Sequence, residues 1–179
     1  MKKHVSSFLV LSCICFLSAC SSNTPQTYFG LAVLDAMNMS TGFAGDGLSS
    51  QLESPSVKLV EGSKDKTVAM RRQEIIDNKI QFLEADLQKL KELKETPDTK
   101  DMLQTSLALY EYVLRVCKNE YRQLAKLYDD GAPKEQVQAL TEKIHTNYYT
   151  GFDKLCKQLV SLGKPYAEHN HIRVDWGNQ

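Results

Sequence analysis

The chain has 179 residues, and its 22 basic side chains balance 22 acidic ones, which argues against the basic surface that nucleic-acid binding needs. With 42% hydrophobic and 25% charged residues, the composition fits neither a disordered chain nor a membrane-embedded one. One domain with a substantial core suits this length better than two.

The first twenty residues have the three-part layout of an export signal. Lys2 and Lys3 form a positive flank, and Phe8 to Leu17 is an apolar centre too short to be a spanning helix, which needs about 20 residues. Leu17-Ser18-Ala19-Cys20 closes it, with small residues before a cysteine. These residues resemble the processing site of bacterial lipoproteins. That resemblance, confined to residues 1–20, implies a diacylglyceryl thioether on Cys20, cleavage just before it and often N-acylation. Two or three acyl chains make a stable anchor where one is marginal. Ser21 resembles the residue that follows the cysteine in lipoproteins sorted to the outer membrane of enteric-type bacteria, which implies a domain facing the periplasm; in a cell with one membrane the same signal implies the outside of the cell.

Loss of residues 1–19 lowers the basic count from 22 to 20 and leaves the 22 acids, so the mature chain carries a net charge of −2. Residues 20–27 read as a polar tether containing Pro25. Residues 28–62 combine a short apolar helix with a Gly/Ser-rich loop. The helix, Tyr28 to Met39, is expected to bury against the main body; a membrane-surface or partner-binding helix is the alternative, because apolar residues run nearly all round it. The loop, Ser40 to Ser56, contains Gly42, Gly45 and Gly47 and ends near Pro55.

Residues 63–164 are expected to form the helical body. Ile76, Ile80, Leu83, Leu87 and Leu90 make one stripe at steps of three and four, ending near Thr96-Pro97. A second helix carries Leu103, Leu107, Tyr110, Leu114, Cys117, Tyr121, Leu124 and Tyr128, with Gly131 as its left-handed stop and Pro133 opening the next. The third carries Val137, Leu140, Ile144, Tyr148, Phe152, Leu155, Leu159 and Leu162, continues through Gly151 and is expected to end at Gly163-Lys164-Pro165. Helices of roughly 28 residues, joined by short connections, predict an all-α fold: an antiparallel three-helix bundle with a short additional N-terminal helix. Residues 165–179 read as a polar tail.

Few residues suggest chemistry. With Cys20 lipidated, Cys117 and Cys156 remain in a compartment that permits disulfides. A hairpin turning about Gly131 sets them roughly 16 Å apart along the axis, too far for a bridge without a bent helix. Two buried thiols are therefore preferred to a Cys117–Cys156 disulfide. Glu142 and His145 have the spacing of one half of a di-iron site, with Cys117 and Glu120 expected level with them, but no second copy of the motif exists. His169 and His171, beside Glu168 and Asp175, are weak candidate zinc-type ligands. Tyr110, Tyr121 and Tyr148 suit seam packing; an aromatic-lined groove for a ligand is the alternative.

No nucleophile-base pair, phosphate loop or paired CxxC motif is present, so neither catalysis nor a cofactor is expected. The expected role is binding: an accessory or protein-interaction module of an envelope or secretion assembly, with a protein partner in the envelope. An immunity- or exclusion-type protective lipoprotein and a periplasmic ligand or metal carrier are the alternatives.

Overall fold

The computed structural model describes residues 23–40, 42–43 and 47–176. These residues are mostly helical, with one small two-stranded sheet, so the fold class is all-α. Helix α1 occupies 25–40, and its middle, Gly30–Asp35, is wound as a π-helix. Helix α2 is Gly47–Glu53, strands β1 and β2 are Val57–Leu59 and Thr67–Ala69, and α3 is Arg72–Lys91. Helix α4 runs over 100–129 with a π-helical turn at Cys117–Tyr121, and α5 is Lys134–His169. Among the described residues no helix is long and apolar enough to cross a membrane.

Periodicity explains the packing. The expected α3 stripe, Ile76, Ile80, Leu83, Leu87 and Leu90, is the buried face of that helix. Arg122 pairs with Asp77 at 2.8 Å and Lys118 with Glu84 at 2.5 Å, so α4 runs back along α3. Tyr112 donates its hydroxyl to the Tyr148 carbonyl at 2.9 Å, which sets α5 antiparallel to α4 in the register expected for a turn at Gly131. Gly131 (φ 68°) ends α4 with the paired reverse bonds Gly131 N–H to Tyr128 and Ala132 N–H to Leu127, the left-handed stop that glycine favours. Asp129, at the same corner, accepts from the N–H groups of Arg72 (2.9 Å) and Gln73 (3.1 Å), capping α3 from 57 positions away in sequence.

Helix α1 buries Phe29, Ala32, Val33 and Ala36, as expected of a helix packed on the body. It comes close to the body at Gly163. A Cβ there would stand 3.1 Å from both Val33 methyl carbons and 3.4 Å from the Phe29 ring.

Four features differ from the sequence-based expectation. Gly163-Lys164-Pro165 does not end α5, which continues to His169 with Pro165 inside it. Gly163 instead makes room for α1, and the extra turn is held by burial of Ala167. The helix stops at His171 (φ 56°), where Ile172 N–H bonds Ala167 and His171 N–H bonds Glu168, the same reverse bonds that Gly131 makes. Beyond that stop the chain is not a free polar tail: Ile172, Val174 and Trp176 pack on the core, with Trp176 edge-on to Phe29 at 5.8 Å.

Second, α3 ends at Lys91, short of Thr96-Pro97, because buried Leu93 ties the 92–99 connection to the core. Third, the Gly/Ser-rich stretch contains α2, held by buried Leu48 and Leu52. Fourth, 57–69 forms an antiparallel hairpin with Val57 opposite Ala69, Lys58 opposite Val68 and Leu59 opposite Thr67.

The hairpin and the start of α1 lie at opposite ends of α3. Lys58 reaches Glu74 in the first turn of α3 at 2.6 Å, whereas the Tyr28 hydroxyl donates to the Lys94 carbonyl, past the last turn, at 2.8 Å. Twenty helical residues separate those ends by about 30 Å.

Candidate functional site

Cys20, the residue with the most specific expected chemistry, lies outside the described residues, as does the rest of 1–22. The described chain begins two residues before α1. Four residues between Cys20 and Pro25 allow at most about 18 Å from Cα to Cα. The start of α1 itself lies at the Lys94 end of the fold and away from the hairpin.

Cys117 and Cys156 are buried free thiols. Burial pushes each from the ordinary 9.0 up to about 12, so neither is a nucleophile at neutral pH. Lys79 lies close to Cys117, and burial lowers its pKa. Tyr110 and Tyr121 belong to the core rather than to a ligand groove, being 2% exposed each. The Tyr110 hydroxyl has no hydrogen-bond partner among the described residues, and burial, with Asp86 and Asp35 nearby, holds it protonated. Tyr148 turns to the side and donates to Glu120 at 2.9 Å.

Glu142 and His145 do come together, on the wall of a recess of about 400 Å³ between α2 and the first half of α5. Phe43 and Tyr121 form its inner side, with the Tyr121 hydroxyl donating to the Phe43 carbonyl at 3.3 Å. His145 stacks on Tyr149 with ring centroids 5.0 Å apart. Ser49, Thr141 and Glu142 also border a wider, shallower recess of about 900 Å³ that runs on toward Gly131. Glu120 is engaged by Tyr148 instead of facing Glu142, and Cys117 is fully buried, so the four residues weighed as a metal set do not converge. His169 and His171 are both exposed, and His171 serves as the left-handed stop of α5. Among the described residues no group of three or more His, Cys, Asp or Glu side chains is placed to hold a metal ion.

Exposed apolar side chains that periodicity reasoning passed over stand on both faces of the hairpin, Val57 and Leu59 on one and Val68 on the other. Val57 is 62% exposed, Leu59 59% and Val68 48%, all on the hairpin. The sequence signal was present: Val57-Lys58-Leu59-Val60 and Thr67-Val68-Ala69 are runs rich in β-branched residues around Glu61-Gly62-Ser63, and Gly62 (φ 76°) takes the turn.

Comparison with protein-family models, with curated proteins and with solved structures finds no match.

Proposed function

We propose that this chain is a lipid-anchored module of the bacterial cell envelope that acts by binding a protein partner. In this reading α3, α4 and α5 form an antiparallel three-helix bundle, and α1 is the short additional helix that seals it at Gly163. Cys20 carries the acyl chains, which hold the domain at the outer membrane facing the periplasm. The observation that carries the proposal is the Leu17-Ser18-Ala19-Cys20 junction followed, after only four residues, by a packed helix. So short a tether keeps the Lys94 end of the bundle at the bilayer and turns the hairpin outward.

A binding role is supported by where the apolar side chains are. The core is filled, Tyr110 and Tyr121 included, while Val57, Leu59 and Val68 stand exposed on a hairpin tied to α3 through Lys58 and Glu74. A ligand carrier built on the tyrosine seam would have left that seam open. Among the described residues the recess beside Glu142 and His145 favours a carrier, and it is open to solvent.

The test is metabolic labelling with palmitate, together with membrane fractionation, in the wild type and in Cys20→Ser. The wild type should take up label and sediment with membranes, and Cys20→Ser should do neither. Equal labelling of the two would refute the anchor.

A further inference from the structure

We infer that the outer edge of β2 is a self-recognition edge, at which two copies of this chain pair their hairpins into a four-stranded antiparallel sheet. The backbone hydrogen bonds define which groups are free. Val60 N–H bonds the Lys66 carbonyl and Met70 N–H bonds the Ser56 carbonyl, both at 2.8 Å, so even-numbered residues of the hairpin face inward between the strands. The N–H and C=O groups of Val57 and Leu59 therefore point out from β1, and those of Thr67 and Ala69 from β2. Among the described residues nothing bonds to either outward set. An open strand edge is a template for another strand.

The two edges differ in what a second copy would meet. Antiparallel pairing of β1 with its own copy, centred on Lys58, sets two lysines directly opposite each other. Centring it on Leu59 sets Val57 against Glu61. Across β2, a two-fold axis at Val68 gives a compatible register. Thr67 and Ala69 of each copy exchange both backbone bonds, Val68 meets Val68, and Asp65 stands opposite Arg71 twice.

Both charged residues suit that role. Arg71 is still extended (φ −64°, ψ 142°), and its side chain is 71% exposed, with long contacts to Asp129 (3.6 Å) and to the Gln73 amide oxygen (3.4 Å) that a closer carboxylate would replace. Asp65 is held at the turn by the Ser63 hydroxyl at 3.2 Å. The tip, Glu61 to Lys66, carries two acids and two lysines, which disfavours insertion into a bilayer. Pairing of this kind is small in area, and confinement of anchored copies to one surface would strengthen it.

The register predicts a specific cross-link. Val68 and its copy form a non-hydrogen-bonded pair, with Cα atoms about 4.5 Å apart, within disulfide range. Val68→Cys in the full chain, oxidised mildly in intact cells, should yield a disulfide-linked dimer at least tenfold above that of Leu59→Cys on the β1 edge. The buried native thiols should contribute no background, and any from Cys20 is common to both variants and is subtracted with the wild type. Adding Asp65→Lys, which gives up only the local bond to Ser63, should lower the Val68→Cys dimer at least fivefold. Absence of that dimer, an equal yield from Leu59→Cys, or indifference to Asp65→Lys would each overturn the inference, as would cross-linking of the introduced thiol to a different protein alone. Dimer formation is scored whether or not the chain is membrane-bound, so failure of the lipid anchor and failure of hairpin pairing give separate results.

Discussion

Replacing Gly163 with alanine probes the contact that makes α1 part of the domain. In an isolated helix the change favours alanine by about 1 kcal/mol, because glycine loses more backbone freedom. Here the added Cβ would stand 3.1 Å from two Val33 methyl carbons, tighter than ordinary van der Waals contact, and Val33 is fully buried. Overpacking of that kind costs about 1–3 kcal/mol, so Gly163→Ala should be net destabilising by about 1 kcal/mol. Val33→Ala removes the obstructing methyls at a cost of about 2 kcal/mol from lost burial and cavity. In the Val33→Ala background Gly163→Ala should then be stabilising by about 1 kcal/mol, a coupling of about 2 kcal/mol between the two sites. Urea unfolding of the chain and the three variants measures each value. If Gly163→Ala stabilises the wild type by about 1 kcal/mol and the two changes add, α1 does not rest on Gly163 and its place in the fold is wrong.

Three further outcomes follow from particular groups. Asp129→Ala removes the acceptor for the first two N–H groups of α3 and should cost about 1–2 kcal/mol, or about 3–6 °C in Tm for a domain of this size, with Asp129→Asn losing about half as much; a Tm within about 1 °C of the wild type would contradict the cap. His171→Gly relieves a left-handed residue and should raise the Tm by about 1–3 °C in thermal scans, whereas a fall would show that the imidazole itself is needed. Cys117 is raised in the folded state from 9.0 to about 12, so its contribution is intact below pH 9 and lost as pH rises toward 12. Unfolding free energy should therefore fall above pH 9 by up to about 1.4 kcal/mol per pH unit more in the wild type than in Cys117→Ala, and parallel pH profiles would refute that burial.

Helical stripes were legible because a 3.6-residue period leaves a mark on every turn: the α3 stripe is the observed buried face, residue for residue. The stop at Gly131 was legible for the same local reason, since its left-handed conformation selects glycine. Gly163 and Pro165 carried the same local signal with the opposite outcome, because what decides there is a partner helix far earlier in the chain, at Phe29 and Val33. Tertiary burial of Ala167 then outweighs a missing N–H near an exposed helix end. His171 could not be recognised as a helix stop, because a residue so seldom left-handed gives no warning of it. The hairpin was passed over for its shortness: three residues per strand offer too little alternation to stand out beside helices of 20 to 36 residues. Of the candidate site, Glu142 and His145 shared a face as their spacing required. Their separation from Cys117 and Glu120 depends on side-chain direction across two helices, which register arithmetic does not resolve.

In the proposed reading the anchor decides which end of the molecule meets the membrane and which meets a partner, and intact-mass and N-terminal peptide mass spectrometry of protein purified from the cells that make it reads the anchor directly. The mature chain should begin at Cys20 and carry a diacylglyceryl group on that thiol, with or without an N-acyl chain. A chain that retains residues 1–19, or one that begins elsewhere with Cys20 absent or unmodified, would contradict the lipid-anchored reading and with it the outward orientation of the hairpin.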